Sequence, residues 1–573
     1  MSAAHADVAV PSRGGRFALP GTLGAAAALA VPPGALVFLL GLERGGYYAT
    51  AWSAATVGAL ATGTLVVVRR RAVRPALPLL LPFSAFVAWI GIEALRPTAA
   101  TLAVPELERS LLYASVVWAA VQVVDQRNAA VVLGGVLAAL VALLVDGLAH
   151  VLFPLHITAD GFEGRLLFLP LGYANACGAI AAMAIVLSLD APRARTAAAT
   201  GLVPVAVALA LTQSKGAVLA LAVGLVATTV LNPHRGAYAG RVLVLLPLPA
   251  VAALFAARSH VDDANVASAV VAHDCIVVAA ATCVAAVAQF VIARRVRFTA
   301  PAWTAGLAAA VAVAGTVAAA TRGFADRSAY WHVAWHDALA HPLLGSGAGT
   351  FAREWLAHRT TATGALNAHS LYLETLAELG PFGLLLLFGA LAAPLVIAAR
   401  HRSPLAAVAA GGYATFLAHA AVDWDWQMPA VACAGLLCGV CALRAARGDG
   451  RSPRRAVRPA IAIAAVIALA AAAAGIGNAA LAAGARGDAH DARLAARMQP
   501  WSAQPKRLFA ELLIAGGRRE DARDLLAQAL RLDPGDAASW YDLVLTGTPA
   551  ERAAAVRHLA RLDPLAVRAE ERP

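Results

Sequence analysis

The sequence predicts an all-α fold: a polytopic transmembrane helical bundle of about fifteen helices, with a large extracytoplasmic loop and a small C-terminal helical-repeat domain. Three observations predict it. Of 573 residues, 60% are hydrophobic and only 14% charged, where soluble chains carry about a quarter charged. The apolar residues fall in blocks of about 18–26, long enough to cross a bilayer. The chain's two longer polar stretches, near 321–375 and after 485, carry helical periodicity or clustered polar chemistry of their own.

In chain order, the expected spans are 17–42, 47–68, 75–95, 110–124, 129–153, 172–190, 196–212, 216–232, 241–257, 275–292, 300–320, 382–399, 405–422, 429–445 and 459–483. The first follows Arg13 and Arg16 and runs on to Leu42. That is longer than the apolar region of a signal peptide, so it reads as a first membrane helix. The fourth span is short enough for a re-entrant segment. Four regions result: N-terminal transmembrane helices over 1–164, a membrane core over 165–445, a linker and last transmembrane helix over 446–484, and a helical domain over 485–573.

With the N-terminus taken as cytoplasmic, Lys and Arg divide unevenly between alternate connections. The cytoplasmic side holds 22 and the opposite side 10, the bias of a positive-inside topology. Residues 154–171, 213–215, 321–375, 423–428 and everything after about 484 then face outward. The chain is read as a multi-pass protein of the cell (inner or plasma) membrane. The net charge of +12 does not indicate nucleic acid as a partner, because the arginines sit in short clusters between apolar blocks. Cys438 and Cys441 form a C-x-x-C with no second pair or nearby His, so no zinc or redox site is read there.

The loop 321–375 holds His332, His336, His341, His358 and His369, with Trp331, Trp335 and Trp355 as expected interfacial anchors. His332 and His336 have an i, i+4 spacing but lack the Glu of H-E-x-x-H and a third ligand. Asp146 and His150 share a helix face near the outer end of a span, an ionisable pair with no further partner in view. Ser370, Glu374 and Glu378 recur every four residues and share one helix face, which Gly380 and Pro381 terminate. His369 is thus expected at a helix start beside an acidic face, as a general base or as a capping histidine. Beyond the last span, Ala522, Leu525, Leu526 and Leu530 give a helical period, Asp533-Pro534-Gly535-Asp536 a turn, and Arg-Leu-Asp-Pro recurs at 531–534 and 561–564. This resembles tetratricopeptide-type repeats, and so small a domain is expected to dock on the membrane region or a partner.

Four segments resemble one family. The loop run Arg327-Ser328-Ala329-Tyr330-Trp331, then His341-Pro342-Leu343-Leu344-Gly345-Ser346-Gly347, then Asn367-Ala368-His369-Ser370-Leu371-Tyr372 resembles the signature loop of the O-antigen ligase family. Arg165 with Pro170-Leu171-Gly172-Tyr173-Ala174-Asn175 is similar to its Arg…Pro-Leu-Gly-Tyr-x-Asn segment. Ser214-Lys215-Gly216 is similar to its Ser-Arg-Gly segment, with lysine in the place of arginine, and Val422-Asp423-Trp424 with Pro429 resembles its later outer loop. The segments lie in the expected order over roughly 165–445.

The resemblance implies a membrane enzyme that takes a glycan from undecaprenyl pyrophosphate and attaches it to an acceptor hydroxyl by inverting, metal-independent displacement, with no cofactor. The implied partners are that lipid-linked donor, the membrane lipid, and a glycolipid, cell-wall or protein acceptor. By the match, His369 acts on the acceptor hydroxyl, and Arg327 and Lys215 hold the developing pyrophosphate charge. Arg165, Tyr173, Asn175 and Asp423 line the substrate site, though Asn175 could equally satisfy helix backbone and Asp423 be an interfacial carboxylate. Lys215 keeps a cation but not the bidentate fork. Repeat-unit polymerases and protein O-oligosaccharyltransferases share the superfamily. A lipid-glycan transporter or flippase is the reading from another class, although no pair of internal repeats supports it. A non-catalytic scaffold is a third.

Overall fold

The computed structural model describes residues 21–96, 98–154, 160–190, 195–263, 265–295, 325–446 and 456–570. The expected span 300–320 and the first residues of the 321–375 loop lie outside them. The described residues are helical throughout, apart from turns and one isolated bridge between Asp160 and Gly164. Eight helices are long and apolar enough to cross a membrane, and four more apolar helices are shorter.

The first group is α1 (Gly21–Leu42), α2 (Thr50–Arg70), α3 (Leu77–Ala94), α4 (Ala100–Val123) and α5 (Ala129–Leu152). The second is α6 (Ala174–Ser188), α7 (Arg195–Leu211), α8 (Lys215–Leu231), α9 (Arg235–Leu245), α10 (Pro247–Ala256) and α11 (Ser268–Arg295). Then come α12 (Ala325–Ala340), α13 (Phe351–His358), α14 (Leu371–Arg400), α15 (Pro404–His419), α16 (Pro429–Ala446) and α17 (Val457–Gly484).

Two expected spans take a different form. The segment placed at 110–124 is a full helix of 24 residues starting at Ala100. Its first turns hold Glu106, Glu108 and Arg109, charges that mask a span in a hydropathy reading. Each has a partner inside the bundle: Arg109 pairs with Glu106 and lies over the Trp52 ring, and Glu108 accepts from Asn478 of α17. The segment placed at 241–257 breaks at Leu246 into α9 and α10, where Pro247 and Pro249 open the second helix.

Small residues set the packing. Where α8 crosses α15, a Cβ on Gly224 would meet Thr415 Oγ1 and one on Gly411 would meet Thr228 Oγ1, both at no more than 2.0 Å. Only glycine permits that approach, and it is the pattern by which membrane helices associate. The crossing brings the start of α8 against the end of α15, so that Gly216 faces His419. At the other end of the bundle, Arg70, Arg74 and Arg444 donate to the carbonyls of residues 121–124.

The loop between α12 and α14 is itself folded. Tyr330, Val333, Ala334, Phe351, Trp355, Ala368 and Ala377 form a small core. Trp355 is 2% exposed and donates to Thr363 O at 2.8 Å, so it is a core residue rather than an interfacial anchor; only Trp335 of the three is broadly exposed. The glycine-rich turn 345–349 docks on a break in α14 at Gly380 (φ 68°, ψ −178°), a conformation that only glycine holds readily. Pro381 has no N–H for the Ala377 carbonyl. Ser346 N–H takes that carbonyl at 3.0 Å, and Gly347 N–H takes Glu378 O at 2.9 Å.

After α17 come α18 (Ala489–Met498), α19 (Gln504–Ala515), α20 (Arg519–Leu532), α21 (Ala537–Thr546), α22 (Pro549–Leu562) and α23 (Pro564–Glu570), each packed on the next. Their core includes Phe509, Leu513, Ala522, Leu526, Leu530 and Leu543. Leu525 packs at its edge.

Candidate active site

The candidates collect at one end of the bundle, where α6, α8 and α14 begin and α15 ends. Asp423, fully buried, is the hub. Arg327, near the start of α12, donates Nη2 to Asp423 Oδ2 and Nη1 to Val422 O, each at 2.6 Å. Tyr173, just before α6, donates its hydroxyl to Asp423 Oδ1 at 2.8 Å, and Asn175 Nδ2 donates to the Tyr173 hydroxyl at 2.8 Å. Trp424 stacks on Tyr173 at 4.5 Å between centroids, and its N–H donates to Asp423 Oδ1. Burial, with Asp423 beside it, holds the Tyr173 hydroxyl well above its usual value, so it stays protonated. A carboxylate with this many donors is an anchor: it fixes the guanidinium rather than reacting.

His369 precedes Ser370, which caps α14 by accepting from Leu373 N–H. Its backbone is left-handed (φ 52°), uncommon for a residue other than glycine. Trp331 Nε1 donates to its carbonyl at 3.3 Å, and the Tyr330 ring stacks on the imidazole at 4.8 Å. Nδ1 lies 3.2 Å from Asn367 O. A carbonyl only accepts, so Nδ1 carries the proton and Nε2 keeps its lone pair. Burial lowers the imidazole pKa; Asp423 pulls it up and Arg327 pushes it down. Near neutral pH the ring is therefore an uncharged base.

The acidic face expected beside His369 is absent in that form. Glu374 and Glu378 share a face, but it is buried, and both carboxylates bind backbone. Glu374 accepts from Ala368 N–H at 2.5 Å and Gln427 Nε2 at 3.0 Å; Glu378 accepts from Gly349 and Phe351 N–H, each at 2.9 Å. Period four specifies a common face and not what that face meets. The two glutamates hold the loop, and Glu374 holds the residue next to His369.

Lys215 is the first residue of α8, behind the Ser214 cap and left-handed Gln213. Its side chain is exposed. Its neighbour Gly216 lies against the cluster, where an added Cβ would be 3.7 Å from Arg327 Nη1. Arg165 is buried in the connection between α5 and α6, with Nε donating to Val261 O at 3.1 Å. Thus Arg327, Asp423, Tyr173 and Asn175 are hydrogen-bonded together, His369 and Lys215 flank them, and Arg165 ties loop to loop. His332 and His336 meet at 3.0 Å on the exposed side of α12, and His150 turns Nδ1 to the Asp146 carbonyl of its own helix.

One group was missed. Glu163 accepts from Ala174 N–H at 3.4 Å, beside Tyr173. Burial, together with Asp160 and Asp423, raises its carboxyl to about 7 despite that hydrogen bond. The only sequence signal was an acid two residues before Arg165.

A half-buried guanidinium anchored by Asp423 thus lies beside a neutral imidazole at one end of an apolar helical bundle. Residues 200–388, which include Lys215, Arg327 and His369, match the family model described as O-Antigen ligase. Over these residues the chain is similar to the O-antigen ligase domain, in agreement with the motif resemblance. No curated protein matches the chain.

Proposed function

We propose that the protein transfers a glycan from undecaprenyl pyrophosphate to an acceptor hydroxyl. The observation that carries this reading is the pairing of Arg327, locked by Asp423 and Val422 O, with His369, whose Nε2 is left free by the bond at Nδ1. His369 Nε2 takes the acceptor's O–H proton as the oxygen attacks the anomeric carbon. The anomeric C–O bond to phosphate breaks as the new bond forms, and its electron pair leaves on the pyrophosphate. Displacement from the opposite face inverts the centre. Arg327 and Lys215 hold the charge that develops on the leaving group, which is where fixed cations accelerate reaction most. Tyr173 and Asn175 line the donor site, and Asp423 keeps Arg327 in place.

The arginine clusters at the far end of the bundle support an extracytoplasmic site in the cell membrane. The C-terminal helices form a small tetratricopeptide-like domain on that side. They add a surface beside the loop, which favours ligation to a separate acceptor (glycolipid, cell wall or protein) over repeat-unit polymerisation. The test is release of undecaprenyl pyrophosphate in proteoliposomes given the host's lipid-linked glycan and an acceptor extract. Wild type should release it and His369→Ala should not. Labelled lipid crossing the bilayer without carrier release would replace this reading with a transporter.

A further inference from the structure

One buried pair beside the candidate site has no task in the scheme so far. His419 closes α15, and Asp425 lies in the short 3-10 turn that follows. His419 Nδ1 stands 3.0 Å from Asp425 Oδ2, and both side chains are fully buried. Neither has another hydrogen-bond partner among the described residues. The imidazole is close to Arg327: a Cβ added to Gly216 would stand 3.4 Å from His419 Nε2 and 3.7 Å from Arg327 Nη1. Side chains so enclosed act on a reaction only through the groups they hold in place.

The segment between the two residues holds both halves of the site. Ala420 O accepts from Leu371 N–H at 2.8 Å, at the first residue of α14 and just past His369. Val422 O and Asp423 Oδ2 take the two terminal nitrogens of Arg327, and Val422 N–H donates back to His419 O at 3.0 Å. Beyond the side-chain contact, Asp425 O accepts from Met428 N–H at 2.9 Å. Gln427 donates to Glu374, which in turn accepts from Ala368 N–H. His369 is thus tied to this stretch from both flanks, through Ala368 and Leu371, while Arg327 is tied to its middle.

We propose, resting on the function proposed above, that His419 and Asp425 are positioning residues: their contact closes the segment 419–425 and so sets the spacing of His369 and Arg327. Energetics favour this role over a stabilising one. Taking such a pair out of water costs about what its attraction returns, so it adds little net stability. What it supplies is register. An aliphatic contact allows sliding, whereas an imidazole against a carboxylate holds one direction and one distance. Base and cation must meet the substrate together, and a misplacement of about 1 Å lowers the rate by roughly 10²-fold.

The full chain is reconstituted in proteoliposomes as wild type, His419→Leu, His419→Gln and Asp425→Asn. In His419→Leu, kcat for carrier release should fall by roughly 10²-fold with the donor KM within about twofold of wild type, the split expected when only transition-state contacts are lost. His419→Gln, whose amide still donates towards Asp425, should recover most of that loss. Amide exchange over 369–373 and 420–424 should quicken in His419→Leu and stay slow in His419→Gln. Should His419→Leu fail to insert, Asp425→Asn gives the same two readouts with the size of the side chain kept. Wild-type kcat or wild-type exchange in the variant that breaks the pair would overturn the proposal, as would an equal loss in His419→Gln. Quickened exchange in His419→Leu, together with a wild type that releases no carrier, would sink the proposed function and leave the clamp on the segment standing.

Discussion

Arg359, at the end of α13, points its Nη2 at both carboxylate oxygens of Asp563, at 2.8 and 3.0 Å. Asp563 is the aspartate of the second Arg-Leu-Asp-Pro. The aspartate of the first, Asp533, takes Arg353, one and a half turns earlier on the same loop helix. The two copies of the phrase thus hold one short helix at two points, and that helix packs against the loop core that supports His369. The domain after α17 is fastened to the loop through side chains more than 170 residues apart in sequence.

Asp563→Ala and Asp533→Ala together should release the C-terminal helices from the loop. Each pair is largely buried, and removing one partner of such a pair leaves a buried charge costing about 3–5 kcal/mol. Amide exchange over 351–366 should accelerate in the double variant, and glycan transfer should fall because His369 loses its support. The exchange of charges Arg359→Asp with Asp563→Arg should restore most of the protection. Unchanged exchange in the double variant would show that the ion pairs do not fasten the loop.

His369→Ala should insert normally and lose transfer by roughly 10²–10⁴-fold, the range for a single general base. In the wild type, transfer should fall as pH drops through a value below the ordinary imidazole pKa of about 6.5, because burial lowers it and the protonated ring is no base. Glu163, held at about 7, should add a second inflection that disappears in Glu163→Gln. A single inflection above 6.5 in both proteins would contradict the environment assigned to His369.

Asp423→Asn tests the hub from the other side. The carboxylate pulls the imidazole pKa up while Arg327 pushes it down, so its removal should move the acid limb of the profile to still lower pH. It should also cut kcat, because Arg327 loses its Nη2 partner. Arg327→Lys should retain part of the activity and Arg327→Ala almost none, since lysine keeps the charge but not the two-point anchoring. A profile that moves towards neutrality in Asp423→Asn would place His369 outside the field of this carboxylate.

How much of this was legible in the sequence varies with the physics involved. Most helices announce themselves because a bilayer demands long apolar runs, whereas the charges of α4 hide its first half: Arg109 is paired with Glu106, and Glu108 is met by Asn478 of α17. The order of site residues was legible through motifs. Their hydrogen bonding was not, because Arg327, Tyr173 and Asp423 meet across 96 and 250 residues. Period four put Glu374 and Glu378 on one face correctly, but only the docking of the glycine-rich turn turns that face into a backbone clamp. The aspartates of the repeated phrase read as turn residues until the structure showed what they hold.

Gly380→Ala should be among the most damaging changes that add a single methyl group. Its φ of 68° with ψ of −178° suits glycine alone, and a Cβ would stand 2.4 Å from Leu343 O and 3.0 Å from Gly345 N. Gly345 is as constrained from the facing side, where a Cβ would be 2.3 Å from Glu378 O. The two glycines let the loop backbone lie on the broken turn of α14, which is how Ala377 O and Glu378 O are satisfied. Strain of about 1–3 kcal/mol adds to overpacking of similar size, so the docked turn should detach rather than adjust. The expected readouts are a Tm lower by several degrees and transfer lost in parallel, with Gly364→Ala, where an added Cβ meets nothing within 4 Å, as the control. If Gly380→Ala matched that control in both measurements, the break in α14 would not be what seats the loop, and the position of His369 would need another source of support.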